Sequence, residues 1–172
     1  MSTLKVQEIQ HTGGTTAQTI DSTGRILTPA RPAFRARIAG STGNHGDNGT
    51  LIFETEDFDI GGVYNTSNGK FTAPINGVYH IMFRGLSATN ATGGVNTAGE
   101  YPYGDLYKNG STLAGTRFYG YDNTGNFMLT LMANTTLQLT SGDEITVVMG
   151  AEFIYSAATA AYDPCFEGYL IG

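Results

Sequence analysis

Alternation with a period of two recurs from Ala33 to the end of this chain, and it restricts the backbone more than any other feature. In AFRARIA, Phe34, Ala36 and Ile38 alternate with Arg35 and Arg37. In GVYHIMFRG, Tyr79, Ile81 and Phe83 share one face while Val78, His80, Met82 and Arg84 share the other. NFMLTLMA sets Phe127, Leu129 and Leu131 against Met128, Thr130 and Met132; DEITVVMG offers Ile145, Val147 and Met149; CFEGYLIG closes the sequence. Successive side chains of a strand point to opposite faces, so such runs suit half-buried strands and not amphipathic helices. The stretches between them, GSTGNHGDNG and SATNATGGVNTAG, are loop-like in their Gly, Asn and Thr. About ten strands and no helix predict an all-β antiparallel sandwich of the jelly-roll kind. Several strands are apolar on both faces. An isolated soluble sandwich keeps its outer face polar, so the second faces predict contact between subunits.

Composition sets the outer bounds. A chain of 172 residues holds one well-buried domain and an arm. Charged residues make up only 14% and there are 24 glycines, a balance that suits short strands and polar turns. The net charge of −6 argues against nucleic acid, which needs a basic face. Cys165 is the single cysteine, which excludes an intrachain disulfide and a thiolate metal cluster; its apolar neighbours make it a small core residue. No apolar run approaches the ~18 residues of a membrane span, so no membrane insertion is expected. The opening MSTLKVQEIQ has neither the basic nor the apolar region of a signal peptide.

Residues 1–33 read differently from the rest. LKVQEIQ suggests a short strand with Leu4 and Val6 on one side. TTAQTIDSTGRILT then reads as strand, turn, strand, with Gly24 at a position of positive φ. This segment has too few apolar residues for a core of its own, so it is disordered, packed on a partner or wound with copies of itself. TPARP makes a stiff connector. The expected organisation is a β-rich attachment or trimerisation arm at 1–33 and a knob domain at 34–172.

A spaced pattern runs through the middle of the knob: Phe53, Asp59, Tyr64, Phe71, Gly77, Tyr79, Ile81 and Phe83. It resembles the motif of the complement-component-one-q globular head, the trimeric jelly roll related to tumour necrosis factor. That family usually has Phe where this chain has Ile81, which keeps the position apolar. RPAFRA at 31–36 is similar to the family's first strand and LYKNGS at 106–111 to its central strand and turn. TLQLTSGDEITVVM and the final FEGYLIG are similar to its last three strands, so the resemblance covers residues 32–172. It implies a threefold oligomer and a packing role for Phe71, Tyr79 and Phe83, with Gly77 permitting a tight turn into the strand.

The arm, LKVQEIQHTGGTTAQTIDSTGRI, resembles the start of fibre and other virion proteins of tailed bacteriophages. That likeness implies a virion structural protein, assembled in a host cytoplasm and carried on the particle. It would be a homotrimeric tail fibre with a receptor-binding knob, attached to a tail or capsid protein through residues 1–33 and touching a host-surface glycan or protein. The alternatives are a capsid decoration or head-fibre protein, and a free lectin-like recognition trimer.

Chemistry is sparse. His11, His45 and His80 have no metal-ligand spacing, and no Gly-x-Ser-x-Gly occurs. Glu54, Glu56, Asp57 and Asp59 form an acidic cluster that reads as a solvated face. Some relatives of the resembled family bind calcium near the trimer apex. Asp122 falls near one such position, its partner lands in the apolar NFMLTL, and Asp105 or Asp47 could replace it only by accident. No catalytic, cofactor or metal residues are therefore assigned, and the chain is not expected to be an enzyme. Tyr101, Tyr103, Tyr119, Tyr121, Tyr155 and Tyr162 concentrate late, either as a sugar-stacking surface or as part of a subunit contact. Asn48, Asn65, Asn90, Asn109 and Asn134 begin Asn-x-Ser/Thr triplets, which matter only in a eukaryotic secretory setting.

Overall fold

The computed structural model of the chain describes residues 5–39, 43–45, 48–87, 101–121, 128–151, 154–156 and 163–172, with the side chains of 43–45 and 151 left aside. In the arm, β1 (Glu8–Gln10), β2 (Thr16–Ile20) and β3 (Ile26–Leu27) pair antiparallel in that order. The β2–β3 turn is closed by Asp21, whose Oδ1 accepts the Thr23 and Arg25 amides at 2.9 and 3.0 Å, and by Gly24 at φ 84°. These bonds and the Arg25 guanidinium hold the Asp21 carboxyl far below the usual carboxylate range. Val6, Ile9, Ile26 and Leu27 remain exposed, so the arm has no core of its own, as its composition requires. Leu4 lies outside the described residues.

Two antiparallel sheets make the knob. In the first, β9 (Gly77–Ser87) is the spine. β13 (Thr130–Leu139) pairs along one of its edges, and β16 (Cys165–Leu170) along the other. β4 (Ala33–Arg37) follows on β16, and β6 (Thr55–Ile60) on β4. β5 (Gly43–His45) and β15 (Ile154–Ser156) extend this sheet, β15 meeting β9 beyond the reach of β16. In the second, β14 (Glu144–Ala151) lies between β8 (Lys70–Thr72) and β10 (Tyr103–Lys108). β7 (Tyr64–Asn65) flanks β8, while β11 (Ser111–Thr112) and β12 (Phe118–Tyr119) both pair with β10. The sandwich is all-β and jelly-roll in character. Thirteen strand segments of the knob are described, several only two or three residues long, so any single strand count depends on whether these are counted.

The predicted faces are the observed ones. Phe34, Ala36 and Ile38 are buried, as are Tyr79, Ile81, Phe83, Leu131, Ile145, Val147 and Met149. Phe127 lies outside the described residues. Phe34 is the centre of an aromatic cluster: it stacks on Tyr64 and on Phe71, each at 5.1 Å, and meets Phe166 edge-on at 5.0 Å. Burying one such side chain is worth roughly 1.5–3 kcal/mol. Cys165 is buried as expected. Gly77 carries a different constraint from the one expected. Its φ is not positive; instead a Cβ there would come within 2.5 Å of Leu170 Cδ1 and 3.2 Å of the Gly172 carbonyl oxygen. Crowding by Leu170 and the Gly172 carbonyl, and not a positive φ, is what position 77 meets.

Candidate functional site

The outer face of the second sheet carries the most unusual surface. Gly104 and Phe118 are cross-strand partners, and Phe118 is buried against Phe83 at 4.7 Å. The strand alternation therefore turns Tyr103 and its partner Tyr119 outward. Tyr119 is 70% exposed. An amide bond from Gly120 to the Pro102 carbonyl prolongs the pairing, and Tyr101 and Tyr121 stack beyond it at 4.8 Å. Tyr103 is held flat from both sides. Its ring covers the backbone of Gly150, where a Cβ would collide with it, and the Arg117 guanidinium lies over it at 4.9 Å. Arg117 in turn grips Asp105, with Nη2 at 2.9 Å from Oδ2 and Nε at 3.1 Å from Oδ1. That hydrogen-bonded carboxylate raises the guanidinium's pKa.

Farther along the same face lies a cleft of about 310 Å³, lined among others by Tyr107, Thr146, Val148, Thr50, Lys70 and Glu144. Tyr107 and Thr146 are direct cross-strand partners, and Thr50 bridges to Val148. Lys70 Nζ lies 2.7 Å from Glu144 Oε2 across the cleft.

The other candidates fall elsewhere. Asp105 is not available as a calcium ligand, because it is 3% exposed and paired with Arg117; Asp47 and Asp122 lie outside the described residues. Among the described residues no three His, Cys, Asp or Glu side chains converge as a metal site would require. The acidic cluster is not simply a solvated face. Asp59 accepts the Val63 and Tyr64 amides at 2.9 and 3.1 Å. Asp57 joins a ladder in which it pairs with Arg35 and Arg37, while Glu167 holds Arg35 and the buried Asp163 holds Arg37. Glu54 and Glu56 are exposed. His11 Nδ1 accepts the Gly13 amide within the arm, and His80 sits on the outer face of β9 against Tyr169 at 5.4 Å. The His45 side chain, Asn90 and Tyr162 are not described; Tyr155 is half-buried on β15. Asn48 and Asn109 occupy turn positions of positive φ, and Asn65 and Asn134 are exposed on strands.

The spaced aromatic pattern, the ring cluster it builds and the two-sheet topology together define the domain, and the family described as C1q domain matches residues 33–171. The chain belongs to the C1q domain family. The mouse and human proteins named complement C1q tumor necrosis factor-related protein 3 are each 30% identical over 118 residues, 69% of this chain. The match takes in 43% of those relatives, so the chain spans under half the length of the curated proteins it resembles. Among solved structures, the globular domain of zebrafish complement 1qA protein superposes with a TM-score of 0.63 at 18% identity, covering 82% of this chain and 98% of that one. Murine APRIL gives 0.59 at 10% identity, covering 82% and 99%. These two likenesses establish the jelly-roll fold.

Membership corrects the reading of the arm. The bacteriophage virion function, as tail fibre or capsid decoration, is overturned, because the matching proteins are complement-related and vertebrate. With it go the capsid or tail protein as a partner of residues 1–33, the host-surface ligand of a fibre, and the location on a virion made in a host cytoplasm. The misleading signal was composition: a Thr- and Gly-rich β arm looks alike in unrelated proteins, and the C1q match begins only at residue 33. C1q globular heads are non-catalytic recognition modules, and this C1q domain is not an enzyme. Among the described residues no helix is long and apolar enough to cross a membrane.

Proposed function

We propose that the chain is a free, lectin-like recognition module acting outside the cell, a homotrimer of C1q domains in which residues 1–33 are an arm separate from the knob of 34–172. The observation that carries this reading is the outer face of the first sheet. Val78 on β9, Met132 on β13, Tyr169 on β16, and Phe58 and Ile60 on β6 are all 37% exposed or more. Cationic or imidazole side chains lie beside them: His80 opposite Tyr169, Arg84 opposite Met132, and Arg35 opposite Phe58. Exposed apolar groups on four strands of one sheet face, set among charged ones, mark a protein contact. A threefold arrangement covers this face and leaves the tyrosine-bearing second sheet to solvent, where it is repeated three times. Weak contacts at each copy then add through multivalency.

Light scattering on the full chain and on a chain beginning at Ala33 tests it. Both give about 55 kDa per particle or its arm-less equivalent, three times the 18.3 kDa of one chain. A monomer in both overturns the reading. A trimer only with the arm moves the assembly contact out of the knob.

A further inference from the structure

Two exposed tyrosines touch at one end of the second sheet, and the pairing of β10 with β12 brings them together. Tyr103 lies opposite Tyr119, and the Gly120 amide bonds to the Pro102 carbonyl at 2.9 Å. The same register sets Tyr101 opposite Tyr121. Pro102 has no N–H to return a second bond, so the ring stack is what else joins the two segments there. The centroids are 4.8 Å apart and the rings 25° from parallel, yet Tyr101 is 54% and Tyr121 53% exposed. Among the described residues no other two tyrosine rings are in contact. Tyr119 is exposed, but both faces of the Tyr103 ring opposite it are taken by the Gly150 backbone and Arg117. Tyr64 and Tyr79 are buried among phenylalanines, and Tyr169 meets His80.

A phenol that loses one electron and its proton becomes a radical with spin on its ortho carbons. Two such rings held face to face have a partner at hand; a buried or solitary phenol does not. We propose that Tyr101 and Tyr121 are an oxidative cross-linking site, coupled by hydrogen peroxide through a peroxidase into a dityrosine that staples the ends of β10 and β12. Each phenol gives up one electron and one proton, and together these reduce one peroxide to two waters as its O–O bond breaks. A carbon–carbon bond forms between the two ortho positions. Each ortho hydrogen then passes to its own ring's oxygen as aromaticity returns. The product is two hydrogen atoms lighter and closes a covalent loop over residues 102–120. The site lies within one chain and needs neither the threefold contact nor a ligand, so its failure and theirs are separate results.

The full chain, kept dilute and treated with hydrogen peroxide and a peroxidase, tests it by dityrosine fluorescence, intact mass under denaturing conditions and peptide mapping. The single-chain species loses two hydrogen atoms, and the mapped cross-link joins the peptides that hold Tyr101 and Tyr121. Tyr121→Phe keeps a stacking ring without the phenol and lowers the intrachain product by roughly tenfold or more, whereas Tyr119→Phe leaves it unchanged. Circular dichroism checks that both variants are folded. Closing a loop of about 20 residues raises the Tm of the coupled chain by roughly 3–10 °C. No intrachain product, a cross-link mapped to other tyrosines, coupling mainly between chains, or equal loss in the two variants overturns the assignment. An unchanged Tm overturns the staple.

Discussion

Asp59, Tyr64 and Tyr79 are the polar members of the spaced motif, and each satisfies backbone groups that the aromatic core would otherwise strand. Tyr79 does so by donating its hydroxyl to the Ile75 carbonyl at 2.9 Å. Asp59 takes the amides of Val63 and Tyr64, fixing the turn into β7. Tyr64 lays its ring parallel on Phe34 and offers its hydroxyl oxygen to the Phe53 amide at 3.1 Å. Burial pushes that phenol up to about 12. Tyr64→Phe keeps the stack and leaves the Phe53 N–H unpaired, a loss of ~1–3 kcal/mol. Urea denaturation reads it, and an unchanged midpoint would show that water reaches that amide. Because the phenol's pKa is raised in the folded state, its contribution is complete below pH 10 and disappears as pH climbs through about 12.

At the scale of elements, the turn between β13 and β14 shows one carboxylate gathering several strands. Asp143 Oδ2 accepts the Thr140 amide at 2.7 Å and lies 2.8 Å from Lys108 Nζ, while its Oδ1 accepts from Asn109 Nδ2 at 2.7 Å. The lysine first, then the amide, lower its pKa to about 2. A depressed carboxylate stabilises the fold above its unfolded value, near 4, and loses that contribution as pH falls toward 2. Asp143→Asn therefore lowers Tm at neutral pH and flattens the fall of Tm between pH 4 and 2. Parallel curves for the two proteins would contradict the assignment. Strands such as β4, β9 and β14 were legible because alternation is local: each residue's face follows from its neighbours. What could not be read was pairing across distance. Arg37 and Asp163 are 126 positions apart, so the acidic cluster looked solvated when Asp57 was part of a ladder. Tyr107 escaped notice as a site residue because its importance comes from its place between β11 and β14. The constraint on Gly77 was invisible for the same reason, since Leu170 imposes it from the far end of the chain.

For the whole molecule, the two sheets have different outer faces. If the first is the assembly face, a charge placed on it should separate the subunits without unfolding them. Met132 is 52% exposed and lies opposite Arg84, so Met132→Lys brings two cations together only where another subunit prevents hydration. The variant keeps its circular dichroism and elutes as a monomer; a trimer of unchanged mass would place the contact elsewhere. The order of strands has a further effect. β16, the last strand of the domain, fills the place between β9 and β4, and Gly172 accepts the Val78 amide at 2.7 Å. During synthesis the chain emerges with the centre of its first sheet missing, and β4 and β9 present bare edges toward each other until residue 170 is made. The first sheet therefore closes only once residue 170 is in place, and a chain cut short anywhere upstream of β16 presents bare strand edges in place of a closed sheet.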